Sequence, residues 1–364
     1  MNPAIECRPW RAASPPRRIL AIRLQALGDT IITLPYLLDL KRRHPHIELH
    51  FMTLDSADTI PRAVALFDRI ITIRGGRSGR MQFLHALLGL PRLWWQRYDV
   101  VIDLQNHRWS RIIRRLLRAP AWSAFDRFSP LPHGERARLT IDAIGPWRVN
   151  LDTGLDIPGG AERATKLLRA HGWKDDHELV VLNPAGYGAS RGWPLENYCE
   201  FARLWRRERN PRTQFVLLLL PALRHKAQAI AAALGDHCID LTGKADQVDA
   251  FCVLRQCTLV LTEDSGLGHM AWVQRVPTLA LFSSSRRDWS APQGAWSDCL
   301  DSADLECGPC GAPVCKFGDN RCLTRYEPRY VVVRAAALLD TLEGRGRPSS
   351  ARAMTRAPPD HQCA

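Results

Sequence analysis

Two stretches far apart in the chain repeat one local design, and nothing else in the sequence limits the fold as strongly. The apolar run 257–261 ends in the acidic pair Glu263-Asp264, crosses Gly266 and Gly268, and opens a helical pattern. Near the N-terminus, Ile19-Leu-Ala-Ile-Arg23 leads through Gly28 and Asp29 into a helix with apolar positions Ile31, Ile32, Leu34, Leu37, Leu38 and Leu40. Strand, glycine turn and helix make the unit of open α/β sheets, which place their sites at the carboxyl ends of strands. Glycines let the backbone approach a ligand, and the free N–H groups of Ser265, Gly266, Leu267 and Gly268 at a helix start favour an anion such as phosphate. Asp264 stands where a carboxylate can take sugar or ribose hydroxyls. Asp29 has two readings that the pattern leaves even: a helix N-cap, or a general base at a strand end.

The rest of the chain fits two such units, and its 364 residues are too many for one ordinary core. Strand-like runs at 19–22, 48–52, 69–73 and 100–103 alternate with helices. A second series follows at 179–182, 214–219, 259–261 and 278–282, with helices over 195–207 and 224–234. The predicted fold is therefore α/β, two doubly wound Rossmann-like domains facing a cleft. The expected organisation is an arm over 1–16, a first domain over 17–150, a linker region over 151–176 and a second domain over 177–327. A helix over 328–344 is expected to pack back on the first domain, ahead of a disordered tail over 345–364. No apolar run approaches the 18 residues of a membrane span, and the N-terminus has no apolar signal core. A cytoplasmic protein is expected.

Charge is unevenly placed. Residues 1–150 hold 24 Lys and Arg against 12 Asp and Glu, so +12 of the chain's +13 lies there. Part of it sits on one helix, where Arg111, Arg114, Arg115 and Arg118 share a face. A solvated face explains such a run, and so does attraction to an anionic membrane surface or a phosphorylated acceptor. Nucleic acid is not expected, since the cations are not interleaved with an aromatic platform.

Four collinear stretches resemble glycosyltransferase family 9, the bacterial heptosyltransferases. They are ILAIRLQALGDTIITLP, Asp103-Leu-Gln105 after the strand 100–102, LNPAGYGASRGWPLENY, and LTEDSGLGHMAWVQRVPTLALF. The resemblance spans about residues 17–335. It implies the GT-B fold and an inverting transfer of heptose from ADP-heptose to a lipopolysaccharide core acceptor, at the cytoplasmic face of the inner membrane. Asp29 then becomes the general base, and the turn 264–268 with His269 the donor site. Arg191 stands where family members often carry Lys, and Asp103 orients the acceptor beside the Arg111 helix. No Asp-x-Asp occurs, so no obligatory divalent metal is expected. One departure touches the nucleotide side: Leu223 occupies the place of a Glu that commonly meets the ribose.

Cys307, Cys310, Cys315 and Cys322 crowd a loop rich in Gly and Pro, and the family carries similar clusters. Thiols in a reduced compartment suit two disulfides poorly; four thiolates suit structural zinc or iron. Two alternatives to heptose transfer stay open. One is a relative with another sugar nucleotide or a protein acceptor. The other is a non-catalytic sugar-nucleotide or metal-binding module, which would need the Asp264 turn but not Asp29.

Overall fold

The computed structural model describes residues 5–76, 78–186 and 192–344. In chain order the N-terminal half runs β1 (Glu6–Arg8), β2 (Arg18–Ile22), α1 (Leu27–Arg43), β3 (Glu48–Leu54), α2 (Thr59–Ala63), β4 (Arg69–Ile73), α3 (Gly79–Trp95), β5 (Val100–Asp103), α4 (Arg108–Leu117), β6 (Ala121–Ala124) and α5 (His133–Asp142). The C-terminal half follows with α6 (Gly160–Ala170), β7 (Glu178–Asn183), α7 (Leu195–Glu208), β8 (Thr213–Leu217), α8 (Arg224–Leu234), β9 (Cys238–Asp240), α9 (Gln247–Leu254) and β10 (Leu259–Glu263). It ends with α10 (Gly266–Val273), β11 (Thr278–Leu281), α11 (Arg287–Ser290), β12 (Ser297–Leu300), α12 (Arg321–Thr324) and α13 (Pro328–Gly344).

Each half folds around a six-stranded sheet. The orders are β1-β6-β5-β2-β3-β4 and β12-β11-β10-β7-β8-β9. All pairings are parallel except that of β1 with β6. From β2 in the first sheet and from β7 in the second, the chain starts in the middle, winds outward one way, returns, and winds outward the other way, which is the doubly wound order. The reversal points lie between β2 and β5, and between β7 and β10.

Strands in such sheets are covered on both faces, so they read as continuous apolar runs. Alternate residues of β2 feed two layers. Ile19 and Ala21 join a core with α1 and α5, while Leu20 and Ile22 meet Ala86, Leu90 and Leu93 of α3. The strand β7 divides in the same way: Leu179 and Val181 enter the core that holds Ile19, and Val180 and Leu182 enter one with α7. The first of these cores therefore crosses from one sheet to the other. It runs through Ile31 and Leu34 of α1 to Met270, Trp272 and Val273 of α10, and α1 packs directly on α10.

Three expectations are corrected. Glu6–Arg8, placed in an arm, pairs antiparallel with β6 and extends the first sheet at its edge. The linker region holds α6, whose Ala164 and Leu168 are buried as it packs on α9. The last helix joins the second half rather than the first. Val331, Val332, Ala335 and Leu339 of α13 lie in the core with Trp193 and Trp205, and Arg209 and Arg334 bind Asp340 and Asp298 across that contact. Its apolar stripe finds a ready surface on α7. The tail 345–364 lies outside the described residues.

The packing of α13 has a measurable consequence. Leu339→Ala is expected to cost about 2–5 kcal/mol in chemical denaturation, whereas Val333→Ala, on the exposed side, leaves the midpoint unchanged. Equal small effects would place the helix elsewhere.

Candidate active site

Both reversal points open on the same cleft. From the first sheet, Arg23 follows β2, and Asp29 is the third residue of α1, where its carboxylate accepts the N–H of Ala26 at 3.3 Å. This is the back-reaching half of a capping box, not an N-cap. Asp29 also pairs with the Arg23 guanidinium, which is buried at 4% exposure and donates a second bond to the Leu104 carbonyl at 2.6 Å. On its other side His133 Nδ1 of α5 stands 3.5 Å from Asp29 Oδ1. Burial opposes ionisation of Asp29, but the Arg23 charge and the Ala26 N–H outweigh it and hold the carboxyl below its ordinary value. Burial, and then the Arg23 charge, push His133 well down, so it is a neutral imidazole. The result is an ionised carboxylate, still 38% open to the cleft, with one permanent cation behind it and a neutral histidine beside it.

From the second sheet comes α10. Ser265 caps it, its Oγ accepting the N–H of Gly268 at 3.2 Å, and Asn183 at the end of β7 donates to Ser265 Oγ at 2.9 Å and Thr262 Oγ1 at 2.8 Å. The cap is thereby fixed from β7, and the N–H groups of Gly266 and Leu267, which have no partner within the helix, are aimed off its end. Asp264 accepts from Ser290 at 3.2 Å, and a small pocket lies between Asp264, Ser265, His269, Trp272, Phe282 and Ser290. His269 is buried, and its Nδ1 accepts from Trp272 Nε1 at 3.1 Å. Burial lowers its basicity, while Asp264 and Asp29 pull the other way.

The two turns touch. A Cβ added at Gly28 would lie 2.8 Å from His269 Cδ2, so the glycine is required by a close approach of the two halves. Asp29 and Asp264 are thus brought to opposite banks of one cleft with His269 between them.

A third carboxylate lies buried beneath the cleft. Glu263, at the end of β10 and 1% exposed, accepts the N–H of Trp193 at 2.6 Å, the hydroxyl of Tyr198 at 3.1 Å and the N–H of Gly186. Lys226 of α8 donates to the carbonyls of Pro184 and Gly186, both at 3.1 Å. Together they pin both ends of the segment that follows β7. Burial pushes Glu263 up from 4.5 to about 7.

Other sequence expectations fare differently. Arg191 lies outside the described residues. Asp103 is wholly buried and cannot reach an acceptor; it closes the turn after β5, taking the N–H groups of Gln105 and Asn106 at 3.2 and 2.7 Å. Arg114 does not share the exposed face of Arg111, Arg115 and Arg118. It turns inward, 3.5 Å from Asp103 and stacked 3.9 Å over Trp122. Leu223 packs against the second core. Among the described residues no three His, Cys, Asp or Glu are grouped to hold a metal. Cys307, Cys310, Cys315 and Cys322 share one loop but do not form a ligand set among the described residues, so the expected zinc or iron does not fit this geometry. Arg23, His133, Asn183, Glu263 and Lys226 were not singled out from sequence. Arg23 had a signal, a cation directly after a buried strand; His133 had none, because only the fold brings α5 to α1.

Two facing Rossmann-like sheets whose strand-end turns meet across one cleft form the GT-B fold. The family model of glycosyltransferase family 9 (heptosyltransferase) matches residues 153–320. Lipopolysaccharide heptosyltransferase 1 of Pseudomonas aeruginosa is 27% identical over 357 aligned positions, covering 88% of this chain and 98% of that protein. A family 9 glycosyl transferase from Veillonella parvula superposes with a TM-score of 0.74 at 21% identity, covering 89% of this chain and 97% of that one. The Escherichia coli ADP-heptose lps heptosyltransferase II gives 0.69 at 19%, over 90% and 99%. The family match thus falls on the half of the chain that carries the Ser265–Gly268 turn, and the similarity to a heptosyltransferase extends over the rest.

Two outcomes are expected. Gly28→Ala should cost about 1–3 kcal/mol of stability, since the buried His269 ring cannot step aside; an unchanged unfolding midpoint would mean the halves are not in contact there. Glu263 holds its proton more tightly when folded, so its contribution is full below pH 4.5 and is lost as pH rises to about 7. Over that window it should lower stability by up to about 1.4 kcal/mol per pH unit. Thermal unfolding of Glu263→Gln between pH 5 and 7.5 should lack that slope; an identical slope would assign it to other groups.

Proposed function

We propose that this enzyme transfers a heptose from ADP-heptose to a sugar hydroxyl of a lipopolysaccharide core, with inversion at the anomeric carbon. The observation that carries the reading is the Asp29 turn facing the Ser265–Gly268 turn at contact distance, with Gly28 against His269. Both relatives named above that carry a specific activity in their names are lipopolysaccharide heptosyltransferases, one of them for ADP-heptose.

In this mechanism Asp29 takes the proton of the acceptor hydroxyl as its oxygen bonds to the anomeric carbon. The bond from that carbon to the diphosphate oxygen breaks on the opposite face, and ADP leaves with the electron pair. Arg23 keeps Asp29 ionised and aimed, and neutral His133 leaves the carboxylate its negative charge. The leaving diphosphate is met by the start of α10 and by Arg191, the cation that the sequence offers there. Asp264 takes donor hydroxyls. The enzyme works in the cytoplasm at the inner-membrane surface, where its lipid-anchored acceptor resides; no helix among the described residues is long and apolar enough to cross the membrane.

Leu223 supports a second reading within the family, in which another sugar nucleotide is the donor, because the ribose side has no carboxylate at that position. Calorimetric titration with ADP, ADP-heptose, UDP-glucose and GDP-mannose separates the two. ADP and ADP-heptose are expected to bind at micromolar strength and to lose binding in Asp264→Ala. Binding of a different nucleotide alone would replace the donor, and binding of none would support a non-catalytic module. Asp29→Asn is expected to cut turnover by about 10²–10⁴-fold while donor affinity stays within a few-fold. A large loss of donor affinity would remove Asp29 from the base role.

A further inference from the structure

The helix α3 is apolar on two sides. Gln82, Ala86, Leu90 and Leu93 face the first sheet and are buried. Met81, Leu84, Leu88 and Trp95 recur at helical spacing on the outer side, where Leu88 is 73% and Trp95 84% exposed. A helix apolar all round is ordinarily enclosed by protein or lipid, yet among the described residues nothing covers this stripe. Its neighbour is α4: Phe83 stacks on Trp109 at 4.3 Å, and Trp94 Nε1 donates to the Leu116 carbonyl at 2.8 Å.

The charge around the stripe has one sign. Residues 79–118 hold eight Arg and two acids. Asp103 is buried, and Asp99 is taken up by the N–H groups of Arg17 and Arg18. Arg80, Arg92, Arg97, Arg111, Arg115 and Arg118 are exposed, and none forms an ion pair among the described residues. An exposed apolar stripe with tryptophan, flanked by unpaired arginines, has the chemistry of a surface that sinks into the headgroup region of an anionic bilayer.

We infer that the outer face of α3, with the arginines of α4, docks this enzyme on anionic phospholipid. The inference rests on the membrane-surface reading of the function and says which face meets the lipid. The placement suits a lipid-anchored acceptor. Both α3 and α4 begin at the carboxyl ends of β4 and β5, the end of the sheet that carries Arg23 and Asp29. A bilayer along α3 therefore lies beside the acceptor bank of the cleft, while α10 and the donor bank stay on the far side of the sheet.

The test uses the full chain and vesicles of phosphatidylglycerol and phosphatidylethanolamine, with phosphatidylcholine vesicles as control, in flotation at low and high salt. The wild type is expected to float with the anionic vesicles, less so at high salt, and not with the neutral ones. Leu88→Asp with Trp95→Asp should weaken flotation at least tenfold, and Arg111→Glu with Arg115→Glu should do the same. Calorimetric ADP-heptose binding by the Leu88 and Trp95 variant should equal that of the wild type, which shows the variant is folded. Unaltered flotation of both variants, or flotation independent of lipid charge, overturns the inference. So does a wild-type dimer in light scattering that Leu88→Asp with Trp95→Asp converts to monomer, since the face would then bind a second copy. Failure of the heptosyltransferase reading is seen separately, as vesicle binding without any ADP-heptose binding.

Discussion

Everything in the cleft depends on one steric fact: the backbone at Gly28 comes within contact of the His269 ring. That approach is possible only because position 28 has no side chain, and it is held by the apolar layer beneath, where α1 lies on α10. Each half alone presents an ordinary strand–turn–helix. Placed against each other, the two turns bring Gly28 to the start of α10, where an added Cβ would lie 3.7 Å from the Gly266 Cα. The hydrogen bond from Tyr36 on α1 to Gln293, 2.8 Å long, fixes the same contact at its edge.

Electrostatics then fixes the charge states. Arg23 is taken out of water, which lowers its basicity, and Asp29 supplies the largest compensation. A buried cation of this kind is costly without its partner, so Arg23 and Asp29 constrain each other's position. His133 could have competed for Asp29 as a second cation, but burial and the neighbouring guanidinium keep it neutral. On the donor side, Glu263 takes no part in the cleft surface. Its two main-chain hydrogen bonds reach Gly186 and Trp193, and so set where the segment after β7 leaves and rejoins the core.

Much of the fold could be read from sequence because parallel strands are buried on both faces and announce themselves as short apolar runs. β2, β3, β4, β5, β7, β8, β10 and β11 were all visible in this way. The strands that escaped, β1, β6, β9 and β12, are three or four residues long and mixed in character, and three of them lie at sheet edges. The same logic explains the site. Asp29, Asp264 and the glycines sit at fixed offsets from strands and carry a local signal. Asp103 carried that signal too, yet it is buried and spent on its own turn, because local sequence does not say which strand-end acid faces solvent. His133 and Lys226 reach their places through long-range packing, which leaves no trace in nearby residues. The direction of α13 was misjudged for a related reason: an amphipathic pattern shows that a helix must pack, not on what.

The shared apolar layer also limits how such a molecule can open. A hinge that swung the two sheets apart would expose Ile31, Leu34, Met270 and Trp272 to water together. Sliding of α1 over α10 keeps those side chains covered while it changes the width of the cleft. Movement that keeps this layer covered is therefore of the shear kind, with small displacements spread over a well-packed surface.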